Sequence, residues 1–410
     1  MSVPAPFFLY TEEIILTEER AHFFSVHNRN VTVNDDRSAE PGGLKPRGRL
    51  GRWLAPAITL VIAVALGITV AVVPLPYVIY SPGPTYDVLG SQNDTPILEV
   101  EGAQSDGTGQ LRMVTISELG GPGSSVTAPT LARALFSGSH TIKRYSEVYP
   151  EDMSVEDLKT ISATQMQSSH STSSVAALRY LDYEMPTVIT IIDSVEGSGA
   201  AGKLESGDQL VSLKAPGAGA VAMDTPDAPF AFLRTVPAGT ELDVTVLRDG
   251  KEVTETVKTM ADPASDGEDS GSKLGIILDF DIDMPLDIVV HLESVGGPSA
   301  GMIFALGIID ELTDGDLTGG MTIAGTGSIT YDGQIEPIGG VKQKMHAALR
   351  DGAEWFLAPA RNCDSVVGNI PNGLSVAAVG TLEEAVTAVE SIVAGEGDSV
   401  MTCEAVLAAQ

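Results

Sequence analysis

The distribution of apolar and polar positions divides the chain into segments of different character. Residues 53–73 form an uninterrupted run of 21 uncharged, mostly aliphatic residues. As a helix this run would be about 31 Å long, which matches the hydrocarbon core of a bilayer, so we predict a transmembrane helix. Residues 187–260 instead contain short strand-like runs separated by turn residues, which predicts a β-rich domain. Residues 299–312 carry apolar side chains at helical spacing and predict a largely buried helix.

Shorter signals predict the remaining elements. Helical spacing indicates helices over 127–136 and 154–183, and the second opens with a capping box in which Asp157 follows Ser154 by three residues. We also predict strands at 274–280, 286–292 and 355–359, hairpins with Asp-Gly turns at 249–250 and 332–333, and a helix over 342–349. The serine-rich run at 165–174 is interpreted as the exposed face of the long helix rather than as a serine or histidine site.

Basic residues immediately before the apolar run predict its orientation. Lys45, Arg47, Arg49 and Arg52 precede it, and the positive-inside rule keeps that end cytoplasmic. The expected location is the cell membrane, single-pass, with the N-terminus cytoplasmic and the body extracytoplasmic. A cleaved signal peptide is the rival interpretation, but the run is longer than a usual signal core and no small-x-small cleavage site follows. A further alternative is that the run forms a helix buried in a protein core, but the adjoining cationic cluster is less consistent with that interpretation.

Charge and composition exclude several function classes. The net charge of −31 comes entirely from residues after position 52, so the body should repel nucleic acid and anionic lipid surfaces. No nucleic-acid partner, metal or cofactor is expected. The chain contains no G-x-x-x-x-G-K-[S/T] motif, which argues against an ATP-driven motor. Cys363 and Cys403 are too few for a disulfide framework and lack metal-ligand spacing, and the sequence leaves their pairing open.

A serine and two lysines are the candidate catalytic groups. Ser299 follows a Gly-Gly-Pro turn and precedes a predicted helix, where unpaired backbone N–H groups can hold an oxyanion. Lys342 and Lys344 follow a second glycine pair at another helix start, and a buried lysine that has lost its proton could act as base. The spacing does not indicate which of the two lysines would be the base. His291 is interpreted as a strand histidine facing solvent or core rather than as part of a catalytic triad.

The β-rich segment resembles a bacterial PDZ domain. The resemblance lies in the turn Ala201-Gly202-x-Leu204-x-x-Gly207-Asp208 and in two terminal strands joined by Arg248-Asp249-Gly250-Lys251. It implies a module that binds extended peptides by adding them as a strand beside a sheet edge. The alternative is a structural β-domain that binds nothing.

The region around the serine resembles the proteolytic domain of the Lon family of serine-lysine peptidases. Three motifs carry the resemblance: Gly296-Gly297-Pro298-Ser299-Ala300-Gly301, Thr326-Gly327-Ser328-Ile329 and Pro337-Ile338-Gly339-Gly340-Val341-Lys342-Gln343-Lys344. With the predicted anchor and the PDZ-like segment, the chain is similar to membrane-anchored, PDZ-containing Lon-like proteins of Gram-positive bacteria. The family motif implies that Ser299 is the nucleophile, that Lys344 rather than Lys342 is the base, and that the Thr326 hydroxyl orients the lysine amine. The Ser299 N–H is our oxyanion candidate.

These arguments predict an α+β fold in which a Lon-type proteolytic domain carries an inserted β-rich PDZ-like domain and follows one transmembrane helix. The predicted segments are a cytoplasmic flexible tail (1–52), the transmembrane helix (53–73), the N-terminal part of the body (74–186), the PDZ-like domain (187–260), a linker (261–273), the peptidase domain (274–390) and a C-terminal tail (391–410). The true translation start stays open, since the first residues look like neither a targeting signal nor a domain.

The predicted function is that of a membrane-tethered, ATP-independent serine endopeptidase. It would cleave peptides or unfolded proteins outside the cytoplasm, with the PDZ-like domain selecting or gating them. The turn begins Gly-Gly where many energy-dependent relatives have Asp-Gly, and the chain lacks their ATPase, so processive unfolding of folded proteins is not expected. Two alternatives stand beside this prediction: a catalytically silent peptide-binding adaptor or chaperone at the membrane, and an enzyme that processes only itself. Lon-like domains commonly form rings, which leaves a homo-oligomer open.

Overall fold

The structure, a computed structural model, describes residues 51–103, 107–150, 153–261, 271–292 and 295–409. The helices are α1 (Gly51–Val72), α2 (Ala128–Leu135), α3 (Val155–Tyr180), α4 (Ala228–Arg234), α5 (Gly301–Leu312), α6 (Val341–Arg350), α7 (Cys363–Val366), α8 (Leu382–Val393) and α9 (Cys403–Ala409). The strands are β1 (Tyr77–Asp87), β2 (Ser91–Gln92), β3 (Thr95–Pro96), β4 (Leu98–Val100), β5 (Gln110–Leu119), β6 (Thr141–Arg144), β7 (Thr187–Ser194), β8 (Gln209–Lys214), β9 (Val221–Ala222), β10 (Glu241–Arg248), β11 (Lys251–Lys258), β12 (Ile276–Ile282), β13 (Ile288–Val290), β14 (Thr322–Gly325), β15 (Ser328–Ile329), β16 (Ile335–Glu336), β17 (Trp355–Pro359) and β18 (Ser375–Val379).

A six-stranded central sheet has the order β18-β17-β14-β5-β1-β6. The four strands β18, β17, β14 and β5 are parallel to one another. Strand β1 is antiparallel to both of its neighbours, β5 and β6. Successive side chains of a strand point to opposite faces, so each strand serves two cores. Along β17, Leu357 packs into a core with α3, α5 and α8, whereas Phe356 and Ala358 pack with α6, α7 and α9. The fold is therefore mixed α/β, with helices on both faces of the sheet.

Two distant segments of the chain build this sheet. Strands β1, β5 and β6 come from residues 77–144, and β14, β17 and β18 come from residues 322–379. Their junction is the parallel pair β5 and β14, in which Gly325 lies beside Met113. The end of β14 leads directly into Thr326, so strand pairing across more than 200 residues of sequence positions a predicted site residue.

Residues 187–260, called the insert below, contribute most of a second sheet. Its main path is β11-β10-β8-β7-β12, with β9 paired to β8. The predicted hairpin of β10 and β11 is confirmed: Arg248 pairs with Lys251, and Asp249 and Gly250 between them have φ of 49° and 75°, as a tight hairpin turn requires. Strand β12, from the segment after the insert, pairs with β7 along its length. The predicted domain boundaries remain predictions.

Helix α3 confirms the predicted capping box and corrects the interpretation of its polar run. The Ser154 hydroxyl accepts a hydrogen bond from Asp157 N at 3.0 Å, and the Asp157 carboxylate accepts one from Ser154 N at 3.1 Å. Ser169 and Ser173 are 2% and 0% exposed, so the face that carries them is buried, whereas positions 167, 168 and 171 of the same run are exposed as predicted. The reason is packing, because α3 lies against α5 in the main core and its small serines allow close approach.

The two cysteines form a disulfide. Cys363 opens α7 and Cys403 opens α9, and their Cα atoms are 4.9 Å apart. The bridge closes 40 residues of sequence and ties the C-terminal helix to the core on the α6 side of the sheet.

Helix α1 covers the predicted membrane-spanning run and forms a unit separate from residues 74–410. A search of the described residues finds no helix that is both long and apolar enough to cross a membrane, so membrane anchoring stays a prediction. The predicted cytoplasmic tail, apart from residues 51 and 52, lies outside the described residues. Most of the predicted linker, residues 262–270, also lies outside them.

Candidate active site

Ser299 lies in the turn between β13 and α5, two residues before the helix begins. Gly297 has a φ of +90°, which glycine adopts without steric strain. Ala300 is the N-cap residue of α5, so the helix begins at Gly301 rather than at Ser299 as predicted. The backbone N–H of Ser299 takes part in no hydrogen bond within the described part of the chain. It is available to a ligand, as N–H groups at helix starts often are.

Glycines allow other elements to approach this turn closely. A Cβ on Gly301 would lie 2.9 Å from Ile329 Cγ2 and 3.0 Å from Ser169 Oγ, and a Cβ on Gly296 would lie 2.6 Å from Ser162 Cβ. These distances are shorter than ordinary van der Waals contacts between such atoms. The Gly-x-x-x-x-Gly spacing around Ser299 therefore has a packing cause: both glycines face α3, and Gly301 also faces β15.

The carbonyl oxygen of Ser299 is held from the side of β14. The Thr326 hydroxyl donates to it at 2.8 Å, and Gly327 N donates to it at 2.8 Å. Thr326 is fully buried. Because its single hydroxyl proton is directed to Ser299 O, the Thr326 oxygen is left to accept a hydrogen bond.

Lys344 supplies that donor. It lies in the first turn of α6, which begins after Gly340 in the left-handed conformation, and its Nζ donates to Thr326 Oγ1 at 3.0 Å. The side chain is 3% exposed, and no carboxylate forms an ion pair with it among the residues described. Burial disfavours the charged amine and lowers the pKa of Lys344 to about 7. A substantial fraction of this amine is therefore neutral at physiological pH.

Lys342 occupies a different environment. It lies two residues earlier on α6, so its side chain points to another face of the helix. It is partly buried, and it lines no part of the cavity described next. The structure thus separates the two lysines that spacing alone could not.

Ser299 and Lys344 line one cavity of about 430 Å³. Its other lining residues are mostly apolar or small: Pro84, Tyr86, Met113, Val114, Thr115, Ile116, Met166, Val295, Gly296, Gly297, Ala300 and Gly339. No carboxylate is among them. Another cavity, of about 490 Å³, lies elsewhere, beside the start of β7 and the end of β12, and contains neither predicted catalytic residue. The cavity at Ser299 therefore combines a hydroxyl, an amine and a free backbone N–H with apolar walls.

Helix α3 also holds the serine turn, which sequence reasoning missed. Gly297 N donates to Ser162 O at 3.1 Å, and the Ser169 hydroxyl donates to Pro298 O at 3.1 Å. The available signal was the spacing of Met166, Ser169 and Ser173, which places all three on one face of a helix. The buried position of Met166 would have identified that face as the inner one.

Other candidates lie away from the cavity. His291 contacts the Glu99 carboxylate at 3.0 Å through Nε2, is 37% exposed at its side chain, and does not line the cavity. Asp310, near the end of α5, accepts a hydrogen bond from Leu317 N at 2.7 Å. A metal-binding group of three or more His, Cys, Asp or Glu side chains is not found in the described residues.

Comparison with known proteins identifies the domain that contains this site. Residues 279–391 match the Lon protease (S16) C-terminal proteolytic domain. The chain is 35% identical over 120 residues to a Lon protease of Rhizobium meliloti (strain 1021), covering 27% of this chain and 15% of that protein. It is also 35% identical over 144 residues to a Lon protease of Clostridioides difficile (strain 630), covering 33% of this chain and 18% of that protein. The chain thus spans less than a fifth of the length of these relatives.

Among solved structures, the PDZ domain of an SdrC-like protein from Listeria monocytogenes is 18% identical. The match covers 22% of this chain and 85% of that one, with a TM-score of 0.18. A likeness of this size leaves the PDZ-like character of the insert a prediction.

Proposed function

We propose that this chain is an ATP-independent serine endopeptidase that uses Ser299 as nucleophile and Lys344 as general base. The observation that carries the proposal is the buried Lys344 amine, which lines the same cavity as Ser299 and has the Thr326 hydroxyl rather than a carboxylate as its partner. A paired, charged lysine could not accept a proton, whereas a buried one with a pKa of about 7 can.

In the acylation step, Ser299 Oγ attacks the carbonyl carbon of the scissile peptide while neutral Lys344 accepts the hydroxyl proton. The carbonyl oxygen becomes an oxyanion, which the free N–H of Ser299 stabilises. The C–N bond then breaks, and the Lys344 ammonium returns the proton to the departing amine. The product is an ester between the substrate acyl group and Ser299.

In the deacylation step, a water molecule loses a proton to Lys344 and attacks the ester. The C–O bond to Ser299 breaks, the serine oxygen recovers the proton, and a carboxylic acid leaves. Thr326 assists in both steps because its hydroxyl contacts both Lys344 Nζ and Ser299 O, which keeps the base beside the nucleophile. Its role is therefore positional.

The insert is proposed to select or gate peptides for this site. Three rings join it to the peptidase region: the centroid of Tyr331 lies 5.7 Å from that of Phe230 on α4 and 5.0 Å from that of Phe280 on β12. Next to them, Arg234 of α4 forms a 2.6 Å ion pair with Asp332. Tyr331 and Asp332 lie between β15 and β16, which follow Thr326 directly in the chain, so the insert contacts a loop close in sequence to the proposed site.

We further propose that the protein is tethered to the cell membrane through residues 53–73, with its body outside the cytoplasm. The uncharged run and the basic residues before it support this orientation. The Cys363–Cys403 disulfide fits an oxidising compartment. An alkaline phosphatase fused after Gln410 should be active in cells; an inactive, fully expressed fusion would rule out this topology.

Cleavage of an unstructured protein by the purified full-length chain tests the activity. Wild type should release fragments without ATP, and Ser299→Ala and Lys344→Met should release none. A serine-directed acylating probe should label Ser299 in wild type only, as located by peptide mapping. Equal cleavage by all three proteins would contradict the proposal. Binding of the unfolded protein without any Ser299-dependent product would favour the silent adaptor instead.

A further inference from the structure

The peptide group that precedes Ser299 is anchored by a side chain outside the Lon-type domain match. Ser169 on α3 donates from Oγ to the carbonyl oxygen of Pro298 at 3.1 Å. Ser169 is 2% exposed, and its hydroxyl also lies 3.0 Å from the position a Cβ on Gly301 would occupy. The same carbonyl accepts a longer hydrogen bond from Gly301 N at 3.3 Å. Ser169 is therefore the side-chain partner of this carbonyl.

The geometry of a peptide bond links that contact to the chemistry. The Pro298 carbonyl and the Ser299 N–H belong to one planar peptide unit, in which C=O and N–H point in opposite directions. A hydrogen bond that fixes the direction of the carbonyl therefore also fixes the direction of the N–H. That N–H has no hydrogen-bond partner among the described residues, and Ser299 lines the cavity.

The following peptide group is held from the opposite side. Ser299 O accepts from Thr326 Oγ1 and Gly327 N, both at 2.8 Å. With Pro298 O held by Ser169, both peptide planes that flank Ser299 are anchored, one by α3 and one by β14 and its extension. Because only two backbone dihedrals lie between these planes, Ser299 has little freedom to turn its N–H.

We propose that Ser169 is a positioning residue of the active site, which acts through Pro298 O to aim the Ser299 N–H at the oxyanion. The hydrogen bond also polarises the shared peptide unit, which makes its N–H a better donor. This inference rests on the proposed peptidase function and adds to it a residue from α3.

Ser173 provides a matched control on the same helix. It is as buried as Ser169 and lies one turn later, but its hydroxyl donates to Ser169 O at 2.7 Å and to His170 O at 3.0 Å, within α3 itself. If buried serine hydroxyls mattered only for packing of α3, loss of either should have the same effect. If Ser169 positions the oxyanion donor, only its loss should slow the chemistry.

The test compares Ser169→Ala with Ser173→Ala in the full-length chain. Ser169→Ala should lower kcat on a fluorogenic peptide, and the rate of Ser299 acylation by an active-site probe, by about tenfold, with KM changed less than about twofold. Ser173→Ala should keep kcat within about twofold of wild type. Equal losses in both variants, or a change confined to KM, would overturn the proposal.

A second pair of variants controls for a folding defect. Ser169→Thr and Ser169→Val have the same shape and differ only in the hydroxyl, so their kcat ratio reports the hydrogen bond alone. We expect the threonine variant to be about tenfold faster, and equal rates would contradict the inference.

Hydrogen exchange gives a readout that does not depend on activity. The hydrogen-bonded amides of Gly297, Gly301 and Met302 should exchange about tenfold faster in Ser169→Ala than in Ser173→Ala, because the turn loses an anchor only in the first variant. Unchanged exchange would refute the positioning role even in an active enzyme. Conversely, wild-type cleavage that does not depend on Ser299 would refute the proposed function, and the exchange result would then decide the role of Ser169 by itself.

Discussion

The insert and the catalytic region each bury an ionisable side chain. The side chain in the insert is kept charged, whereas burial of the one in the catalytic region favours its neutral form. In the insert, Asp208 is 1% exposed and accepts hydrogen bonds from Arg248 at 2.7 and 2.8 Å and from Glu205 N at 2.8 Å. In the catalytic region, Lys344 is 3% exposed, and its side-chain partner among the described residues is a neutral hydroxyl. The arginine lowers the pKa of Asp208 and keeps it charged, whereas burial lowers the pKa of Lys344 to about 7 and favours the neutral form.

The difference separates a group that stabilises the fold from one that is suited to chemistry. A buried charge that is paired and hydrogen-bonded is compatible with a stable domain. A buried amine without a counter-charge destabilises the folded state, and such groups cluster at functional sites. Changes at the two positions should therefore have opposite consequences for activity and stability.

The largest expected effect is on the proposed chemistry. Lys344→Met removes the base and should lower kcat at least about 10³-fold, whereas Lys342→Met, two residues away on the same helix, should stay within about twofold of wild type. Initial rates on one fluorogenic peptide measure both variants. An active Lys344→Met enzyme would show that the buried, unpaired Lys344 is not the general base.

The pH dependence should follow the unpaired lysine. Below a pKa of about 7 the amine of Lys344 is protonated and cannot accept the serine proton, so kcat/KM should fall about tenfold per pH unit there and level off above it. A profile measured from pH 5.5 to 9 on wild type tests this, with circular dichroism at each pH as the control for unfolding. An inflection near 10 would mean that burial leaves the lysine with an ordinary pKa.

The same lysine should reduce stability. Its folded-state pKa lies below the unfolded value of 10.5, so the destabilisation is fully present below pH 7 and fades as the pH rises toward 10.5. At pH 7 this destabilisation of the folded state is roughly 4 kcal/mol. Lys344→Met removes the destabilisation but also loses the hydrogen bond to Thr326, which stabilises wild type by about 1 kcal/mol. Denaturant unfolding should thus find this inactive variant more stable than wild type. A Lys344→Met variant less stable than wild type would show that favourable interactions of the Lys344 amine offset the free-energy cost of burying it.

The smallest effect is expected in the insert and should leave the chemistry unchanged. Asp208→Asn weakens the pair with Arg248 and should cost about 1–3 kcal/mol of the stability of the insert. Because the pKa of Asp208 is lowered on folding, wild type should lose this stabilisation as the pH falls through the acidic range, and the variant should lack that part of the acid dependence.

Asp243→Asn is the matched control for this change. Asp243 forms an exposed ion pair with Lys214 at 3.7 Å, so its loss should cost less than about 1 kcal/mol. Hydrogen exchange of β10 measures both variants. A fall in kcat on a short peptide in Asp208→Asn would show that the insert and the active site are not independent in stability.

Local patterns predicted elements and turns that depend on neighbouring residues. The capping box of α3 and the tight turn of β10 and β11 occur where they were predicted, and the buried helix α5 begins two residues later than predicted. Each depends on contacts within a few residues or on a single repeating period, and such information is present in the chain itself. The resemblance of three short motifs to a known family likewise singled out Ser299, Thr326 and Lys344.

The three-dimensional arrangement decided what those residues can do. Pairing of β5 with β14, the Cys363–Cys403 bridge and the burial of the serine face of α3 each depend on partners far away in sequence. The exposed-face interpretation of α3 was wrong for Ser169 and Ser173 because serine is compatible with either side of a helix. The sequence by itself thus determined which residues are candidates, through short-range periodicity, turn chemistry and the resemblance of three short motifs to a known family. Only the tertiary structure decided that Lys344 is buried beside Thr326 and that Ser169 reaches Pro298, because burial and long-range hydrogen bonds exist only once distant elements pack together.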